Sequence, residues 1–151
     1  MRRVLANELR QSATKKVGMA EPAPDRQPTV LLVEDDAAVA QMYRLQLELE
    51  GHLVLTAADA ETGLSIAERF QPDLIVLDIG LPGMNGLTLL DTVRRNDRLR
   101  EVPILILTNF DDPDTEKRSL ELGARHFLPK SKTTPDALAG WVRRMGISGP
   151  D

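Results

Sequence analysis

Five short apolar segments are spaced along the chain, and they constrain its fold more than any other feature. Three of them contain no alternating polar residues: TVLLV (29–33), LIVLD (74–78) and VPILILT (102–108). HLVLTAA (52–58) and ARHFLP (124–129) are more mixed but also strand-like. Apolar strands without alternation are typical of parallel sheets that are covered on both faces. The sequence therefore predicts a buried parallel sheet.

A helical segment follows each predicted strand. Asp59 and Thr134 precede two of these segments as N-caps, and Gly51 and Gly123 follow two others in the position of a C-terminal glycine. Five strand–helix units are too few to close an eight-stranded barrel. We therefore predict the α/β class, with a doubly wound five-stranded parallel sheet of order 2-1-3-4-5 and five helices. The predicted helices cover 37–51, 59–70, 87–96, 112–122 and 134–145.

The composition is ordinary for one globular domain. Of the 151 residues, 42% are hydrophobic and 28% are charged, and a chain of this length can bury a sizeable core. The absence of cysteine excludes disulfides and thiolate metal sites. No apolar run approaches the length of a membrane span, and charge interrupts the opening MRRVLANELRQ too early for a secretory signal. We expect a cytoplasmic protein that does not contact a membrane.

Residues 1–28 differ in charge from the rest of the chain. They contain six Lys/Arg and three Asp/Glu, which leaves 13 basic and 20 acidic residues for 29–151. The segment ends in EPAPDRQP, which is typical of a linker, and its start is interpreted as either a flexible tail or a short docking helix. We expect a globular domain over 29–146 and a short tail over 147–151. The acidic charge of this domain argues against direct binding of nucleic acid.

Charged and polar residues gather where the predicted strands end. Asp78 closes the third apolar run, where burial of an unpaired charge is costly. The carboxyl ends of parallel strands share one edge of the sheet, and ligands bind there beside the topological switch point. The residues at these ends are Glu34, Asp35 and Asp36 after the first strand, Asp78 after the third, Thr108 and Asn109 after the fourth, and Lys130 after the fifth.

This acidic cluster requires positive charge. Carboxylates in close proximity raise one another's pKa unless a cation lies between them. Lys130 supplies one positive charge, and ligands that are all oxygen favour a hard divalent ion, Mg²⁺ or Mn²⁺. We interpret His52 and His126 as structural or solvent-exposed residues, and Asp36 as the N-cap of the first helix.

Four motifs at four strand ends carry a resemblance to a known family. LLVEDD, LDIGLPGMNG, ILILTN and GARHFLPK occur in this order, and together they resemble the receiver domain of two-component response regulators over residues 29–146. The resemblance implies a flavodoxin-like receiver fold and a stand-alone regulator similar to those of chemotaxis. It also implies a signalling protein rather than a turnover enzyme, with Asp78 accepting a phosphoryl group from a histidine kinase or a histidine phosphotransfer protein.

The resemblance also implies a role for each residue at the strand ends. Asp35, Asp78 and the backbone carbonyl of Gly80 would hold the metal ion, with Glu34 in the inner or outer coordination shell. Lys130 would pair with a phosphoryl oxygen.

The family also implies a switch. The Thr108 hydroxyl would bond a phosphoryl oxygen only after phosphorylation, and its inward movement would make room for the ring of Phe127. The face formed by the fourth helix, the fifth strand and the fifth helix would then change its affinity for a partner.

The sequence departs from the family pattern at three places. Ser131 follows Lys130 where many receivers have proline, so we expect no cis peptide bond there. Asn109 replaces a small residue and would either narrow access to Asp78 or bond the phosphoryl group. The positions that gate water hold Gly80 and Phe110, and neither side chain can activate water.

Other functions remain as alternatives. The strongest is a pseudo-receiver, a protein-interaction module that works without phosphorylation. A flavodoxin-like FMN binder would need a phosphate loop in place of EDD after the first strand. A haloacid-dehalogenase-type phosphatase would need a second aspartate at Gly80. We expect a monomer or a phosphorylation-dependent dimer, contact with the phosphodonor at Ala37, Ala38 and Gln41, and a packing role for Trp141.

Overall fold

The computed structural model describes residues 27–110 and 112–147. The predicted N-terminal extension therefore lies outside the described residues, apart from its last two positions, and so does the end of the predicted C-terminal tail. Ile147, which we assigned to that tail, still packs against the core. The packed unit thus extends at least one residue beyond the predicted boundary at 146.

Five parallel strands form one sheet, and their order confirms the prediction. Neighbouring strands pair in the order β2-β1-β3-β4-β5. The chain goes from β1 to β2 at one edge, crosses back past β1 to the central strand β3, and continues through β4 to β5 at the other edge. The strands are β1 (Thr29–Val33), β2 (Leu53–Ala57), β3 (Leu74–Leu77), β4 (Ile104–Thr108) and β5 (His126–Pro129).

Helices follow the strands in strict alternation, as predicted. Each helix begins at a polar residue whose side chain accepts a backbone N–H of the first turn, which satisfies an otherwise unpaired donor. These N-caps are Asp36, Asp59, Asn85, Asp112 and Thr134. The helices are α1 (Ala37–Leu49), α2 (Ala60–Phe70), α3 (Gly86–Arg95), α4 (Pro113–Glu121) and α5 (Pro135–Arg144), and a 3₁₀ turn covers Lys130–Lys132.

The sheet separates two hydrophobic layers. Alternate residues of each central strand face opposite sides, so Leu31 and Val33 pack towards α2 and α3 while Val30 and Leu32 pack towards α1 and α5. Both faces are therefore covered, which explains why these strands lack the polar alternation of a half-exposed sheet.

The predicted and observed element boundaries differ by at most two residues, and β4 is one of the elements that differ by two. We predicted this strand from Val102, but it begins at Ile104. Pro103 has no N–H to donate, and its carbonyl accepts the Ile75 amide at 3.0 Å before the regular ladder begins. Within the described part of the chain, no helix has the length and apolar character needed to cross a membrane.

Candidate functional site

Asp78 lies at the carboxyl edge of the sheet, directly after β3. Its amide donates to the carbonyl of Val33 at 3.0 Å, which keeps the end of β3 in register with the end of β1. Glu34 and Asp35 follow Val33, so this register places the three carboxylates at the junction where the strand order reverses. Asp78 is only 7% exposed.

Three donors surround the Asp78 carboxylate. The Thr108 hydroxyl donates to Oδ1 at 2.8 Å, and the Gly80 amide donates to the same oxygen at 2.9 Å. The Lys130 ammonium donates to Oδ2 at 2.7 Å. These contacts identify the partners that the sequence required for a charge at the end of a buried strand.

Glu34 shares the lysine with Asp78. Its Oε1 lies 2.6 Å from Lys130 Nζ, and its Oε2 accepts the Asp36 amide at 3.0 Å. Burial raises the pKa of Glu34 above its usual value, although the Lys130 hydrogen bond opposes this shift. Burial also acts against the charge on Lys130. The hydrogen bonds that its ammonium donates to Asp78 and Glu34, together with the negative charges of these carboxylates, outweigh burial, and the pKa of Lys130 is raised.

The carboxylates of Glu34, Asp35 and Asp78 can converge on one ion. Each offers an oxygen, and these oxygens lie within 4.8 Å of one another. Glu34 and Asp78 are buried, whereas Asp35 is exposed, so the cluster opens to solvent on one side. A donor set made only of oxygen fits a hard divalent cation such as Mg²⁺. The part assigned to the Gly80 carbonyl stays a prediction.

The loop after Asp78 depends on two glycines for different reasons. Gly83 has φ = 72°, a conformation that side chains other than glycine rarely adopt. Gly86 begins α3 so close to the preceding loop that a Cβ there would lie 2.4 Å from Ile79 Cα. Close packing of the loop against the first turn of α3 thus holds the backbone that leaves Asp78.

The two residues of the predicted water gate touch each other. The ring of Phe110 lies directly on Gly80, where an added Cβ would come within 2.2 Å of Phe110 Cε2. Phe110 is 58% exposed, so its outer face is open to solvent. Asn109 is also exposed beside it. The gating roles of these residues stay predictions.

The arrangement of Thr108 differs from the one we predicted. We expected its hydroxyl to move inward only after phosphorylation, but the side chain is fully buried and already bonds Asp78. The Asp78 carboxylate is itself a strong acceptor, so no phosphoryl oxygen is needed to attract the hydroxyl. Phe127 is partly buried and packs against the core layer on the side of α2 and α3. Its switching role stays a prediction.

Both histidines lie away from the acidic cluster. His52 is fully buried before β2, and neither ring nitrogen has a hydrogen-bond partner among the described residues. Burial lowers the pKa of His52, against the opposing charges of Glu50 and Asp73. His126 contacts Trp141 with the two rings tilted at 52° and their centroids 4.6 Å apart. The packing role predicted for Trp141 agrees with this contact.

Sequence reasoning missed Tyr43, which it placed only in the apolar pattern of the first helix. Tyr43 is the only tyrosine in the sequence and is 2% exposed. Its hydroxyl donates to the carbonyl of Thr133 at 2.6 Å, three residues after Lys130. A buried tyrosine hydroxyl requires a partner. That requirement was the available signal, but the sequence could not identify the partner.

Comparison with known proteins agrees with this geometry. The sequence model of the response regulator receiver domain matches residues 30–141. The chain is 42% identical over 103 residues to the transcriptional regulatory protein AfsQ1 of Streptomyces coelicolor, covering 68% of this chain and 44% of AfsQ1. It is 33% identical over 112 residues to RpaA of Synechocystis, described as a DNA-binding transcriptional regulator, covering 74% of this chain and 46% of RpaA.

A solved structure shows the same fold. The chemotaxis protein CheY4 of Vibrio cholerae superimposes with a TM-score of 0.74 at 30% identity, covering 79% of this chain and 98% of CheY4. The two sequence relatives are longer, and the chain spans less than half of each. Family match, strand order and acidic strand ends agree, and the chain belongs to the response regulator receiver domain family.

Proposed function

We propose that this chain is a phosphoacceptor receiver in which Asp78 takes a phosphoryl group in a reaction that depends on Mg²⁺. The observation that carries the proposal is the pairing of the Asp78 carboxylate with Lys130 and Thr108 beside two further carboxylates. Receiver domains are signalling proteins that take phosphoryl groups from histidine kinases. A carboxylate that is buried, oriented and surrounded by donors fits that role.

The chemistry needs little from the protein beyond position and charge. An oxygen of Asp78 forms a bond to phosphorus while the P–N bond of a phosphohistidine breaks, and the leaving imidazole takes a proton from solvent. Glu34, Asp35 and Asp78 would hold a divalent cation, whose charge screens the phosphoryl oxygens. Lys130 is within reach of a phosphoryl oxygen on Asp78 Oδ2, because its ammonium already contacts that atom.

We further propose that the phosphodonor docks on the exposed side of α1. Ala37, Ala38 and Gln41 are exposed there. Ala37 and Gln41, together with Asp35, also line a pocket of about 250 Å³. An exposed apolar row continues along the helix through Met42, Leu45 and Leu49, of which Leu49 is 81% exposed. Apolar residues at this spacing suit the packing of a helix from a donor protein.

We also propose that phosphorylation changes partner binding at the face formed by α4, β5 and α5. Thr108 and Phe127 lie on adjacent paired strands, where Ile106 is opposite Phe127 and Thr108 is opposite Pro129. A phosphoryl group on Asp78 must replace or re-form the Thr108 hydrogen bond. Because Thr108 lies on β4, which pairs with β5, a change in the position of Thr108 acts directly on β5. Pull-down with and without beryllofluoride tests this face, and capture of the same partners in both conditions would contradict it.

Labelling by a small phosphodonor tests the central proposal. Incubation with acetyl phosphate and Mg²⁺ should add one phosphoryl group, detected by intact mass, and EDTA or Asp78→Asn should abolish it. Asp59→Asn is the matched control, because Asp59 also follows a strand at this edge but caps α2. Label that survives Asp78→Asn would overturn the assignment. An unlabelled wild type would favour the pseudo-receiver.

The docking proposal has a separate test. Leu45→Glu should reduce phosphotransfer from a phosphorylated histidine phosphotransfer protein but leave labelling by acetyl phosphate unchanged. Leu120→Glu, an exposed leucine on α4, is the control. Equal phosphotransfer to both variants would refute docking on α1.

A further inference from the structure

The lysine of the site is carried by a turn that has no proline of its own. Lys130 begins the 3₁₀ turn Lys130–Lys132, and the next proline is Pro135, at the start of α5. All peptide bonds in the described ranges are trans. A single 3₁₀ turn is weakly held by its own hydrogen bonds, so its conformation depends on contacts made from outside.

Thr133 provides part of that support from the end of the turn. Its amide donates to the Lys130 carbonyl, but at 3.3 Å this hydrogen bond is long. Its hydroxyl donates to the Pro129 carbonyl at 2.7 Å, and the residue is 5% exposed. Thr133 therefore closes a loop around Lys130, and the position of Thr133 determines the position of the lysine backbone.

Tyr43 connects this loop to the opposite part of the chain. Its hydroxyl donates to the Thr133 carbonyl at 2.6 Å across 90 residues of sequence. Its ring lies in the core layer between the sheet and the helices α1 and α5. α1 begins after Asp36, next to the acidic residues that face Lys130. Tyr43 thus joins the helix that follows the acidic cluster to the turn that carries its cation.

We propose that Tyr43 is a positioning residue for Lys130, acting through the Thr133 carbonyl. The inference rests on the proposed function, because the position of Lys130 matters only if the lysine meets a phosphoryl group. Core packing alone requires the ring but not the hydroxyl, and phenylalanine would fill the same space. The hydroxyl holds the turn so that Lys130 Nζ stays within 2.7 Å of Asp78 and 2.6 Å of Glu34.

Tyr43→Phe tests the proposal by removing only the hydroxyl. At saturating Mg²⁺ and acetyl phosphate, we expect the maximal rate constant for labelling to fall about fivefold, the equivalent of one ordinary hydrogen bond. The donor concentration at half-maximal rate should change little, because the acidic cluster is intact. Amide hydrogen exchange at 130–133 should become faster.

Ser119→Ala is the matched control. Ser119 is also a fully buried residue whose hydroxyl donates to a backbone carbonyl, that of Thr115, but this hydrogen bond lies within α4 and does not involve the turn that carries Lys130. Both variants should lower Tm, and only Tyr43→Phe should lower the maximal rate constant. A Tyr43→Phe rate equal to that of wild type would overturn the inference and leave the phosphoacceptor function intact. Absence of label on wild type would overturn both.

Discussion

Lys130→Met is the substitution whose effect can be worked out furthest from the geometry. The Lys130 ammonium lies 2.7 Å from Asp78 and 2.6 Å from Glu34, and its side chain is only 13% exposed. Methionine retains much of the length and apolar packing of the lysine stem but removes the charge. The two buried carboxylates then face each other without a cation.

The expected loss of stability follows from that repulsion. Ligand oxygens of Glu34 and Asp78 lie within 4.8 Å of each other. Two unit charges at this distance repel by about 3.5 kcal/mol at an effective dielectric constant of roughly 20. Removal of one partner from a buried ion pair costs about 3–5 kcal/mol in general. We therefore expect Lys130→Met to lower the free energy of unfolding by about 3 kcal/mol when divalent ions are absent.

Magnesium should reverse most of this loss. In the variant, a bound divalent cation supplies the missing positive charge. No ammonium at position 130 repels this cation, so Mg²⁺ should bind the variant more tightly than wild type. At a concentration of roughly 100 times its Kd, Mg²⁺ adds about 2.7 kcal/mol to the free energy of unfolding.

Urea unfolding followed by circular dichroism, in EDTA and in Mg²⁺, measures both effects. Lys132→Met is the control, because Lys132 lies in the same turn but is exposed, and its effect should stay within about 0.5 kcal/mol. Equal stability of Lys130→Met and this control in EDTA would contradict the predicted repulsion between the two carboxylates. Stabilisation of Lys130→Met by Mg²⁺ that is no greater than that of wild type would contradict it as well.

Three further substitutions test the gate beside Asp78 and the buried His52. Phe110→Ala should speed the loss of phosphate from Asp78, because the ring that lies on Gly80 is removed, whereas Phe70→Ala, an exposed phenylalanine on α2, should not. Gly80→Ala should have the same effect, because the Cβ of the new alanine must displace that ring. An unchanged rate of phosphate loss in both variants would contradict the gating role of Phe110 and Gly80. The lowered pKa of buried His52 predicts full stability above about pH 6.5 and a loss as pH falls below it, up to about 1.4 kcal/mol per pH unit. His52→Phe should remove this loss, so the free energy of unfolding of the variant should depend less on pH between about pH 7.5 and 5.5 than that of wild type.

The sequence was sufficient to predict the fold because each of its signals is local. Apolar strands such as Leu74–Leu77 lack alternation because helices cover both faces. N-cap residues such as Asp36 and Asp59 indicate where the helices that follow them begin. The proximity of Asp78, Lys130 and Glu34 could also be predicted, because each follows a strand and the carboxyl ends of parallel strands lie at one edge of the sheet.

Contacts between distant side chains could not be predicted in this way. The Tyr43–Thr133 hydrogen bond joins residues 90 positions apart, and no local pattern connects a helix residue to a later turn. The inward position of Thr108 depends on the rotamer that reaches Asp78 Oδ1. The first residue of β4 depends on how Pro103 meets β3. In each case the result is set by packing of the assembled fold rather than by the sequence nearby.

Mapping of the labelled residue tests the central claim most directly. Borohydride converts an aspartyl phosphate to homoserine, which tandem mass spectrometry can place in the sequence. After incubation with acetyl phosphate and Mg²⁺, we predict homoserine at Asp78 and at no other aspartate, and none in samples kept in EDTA. Homoserine at Asp35 or Asp36 instead, or at Asp78 equally with and without Mg²⁺, would contradict the account.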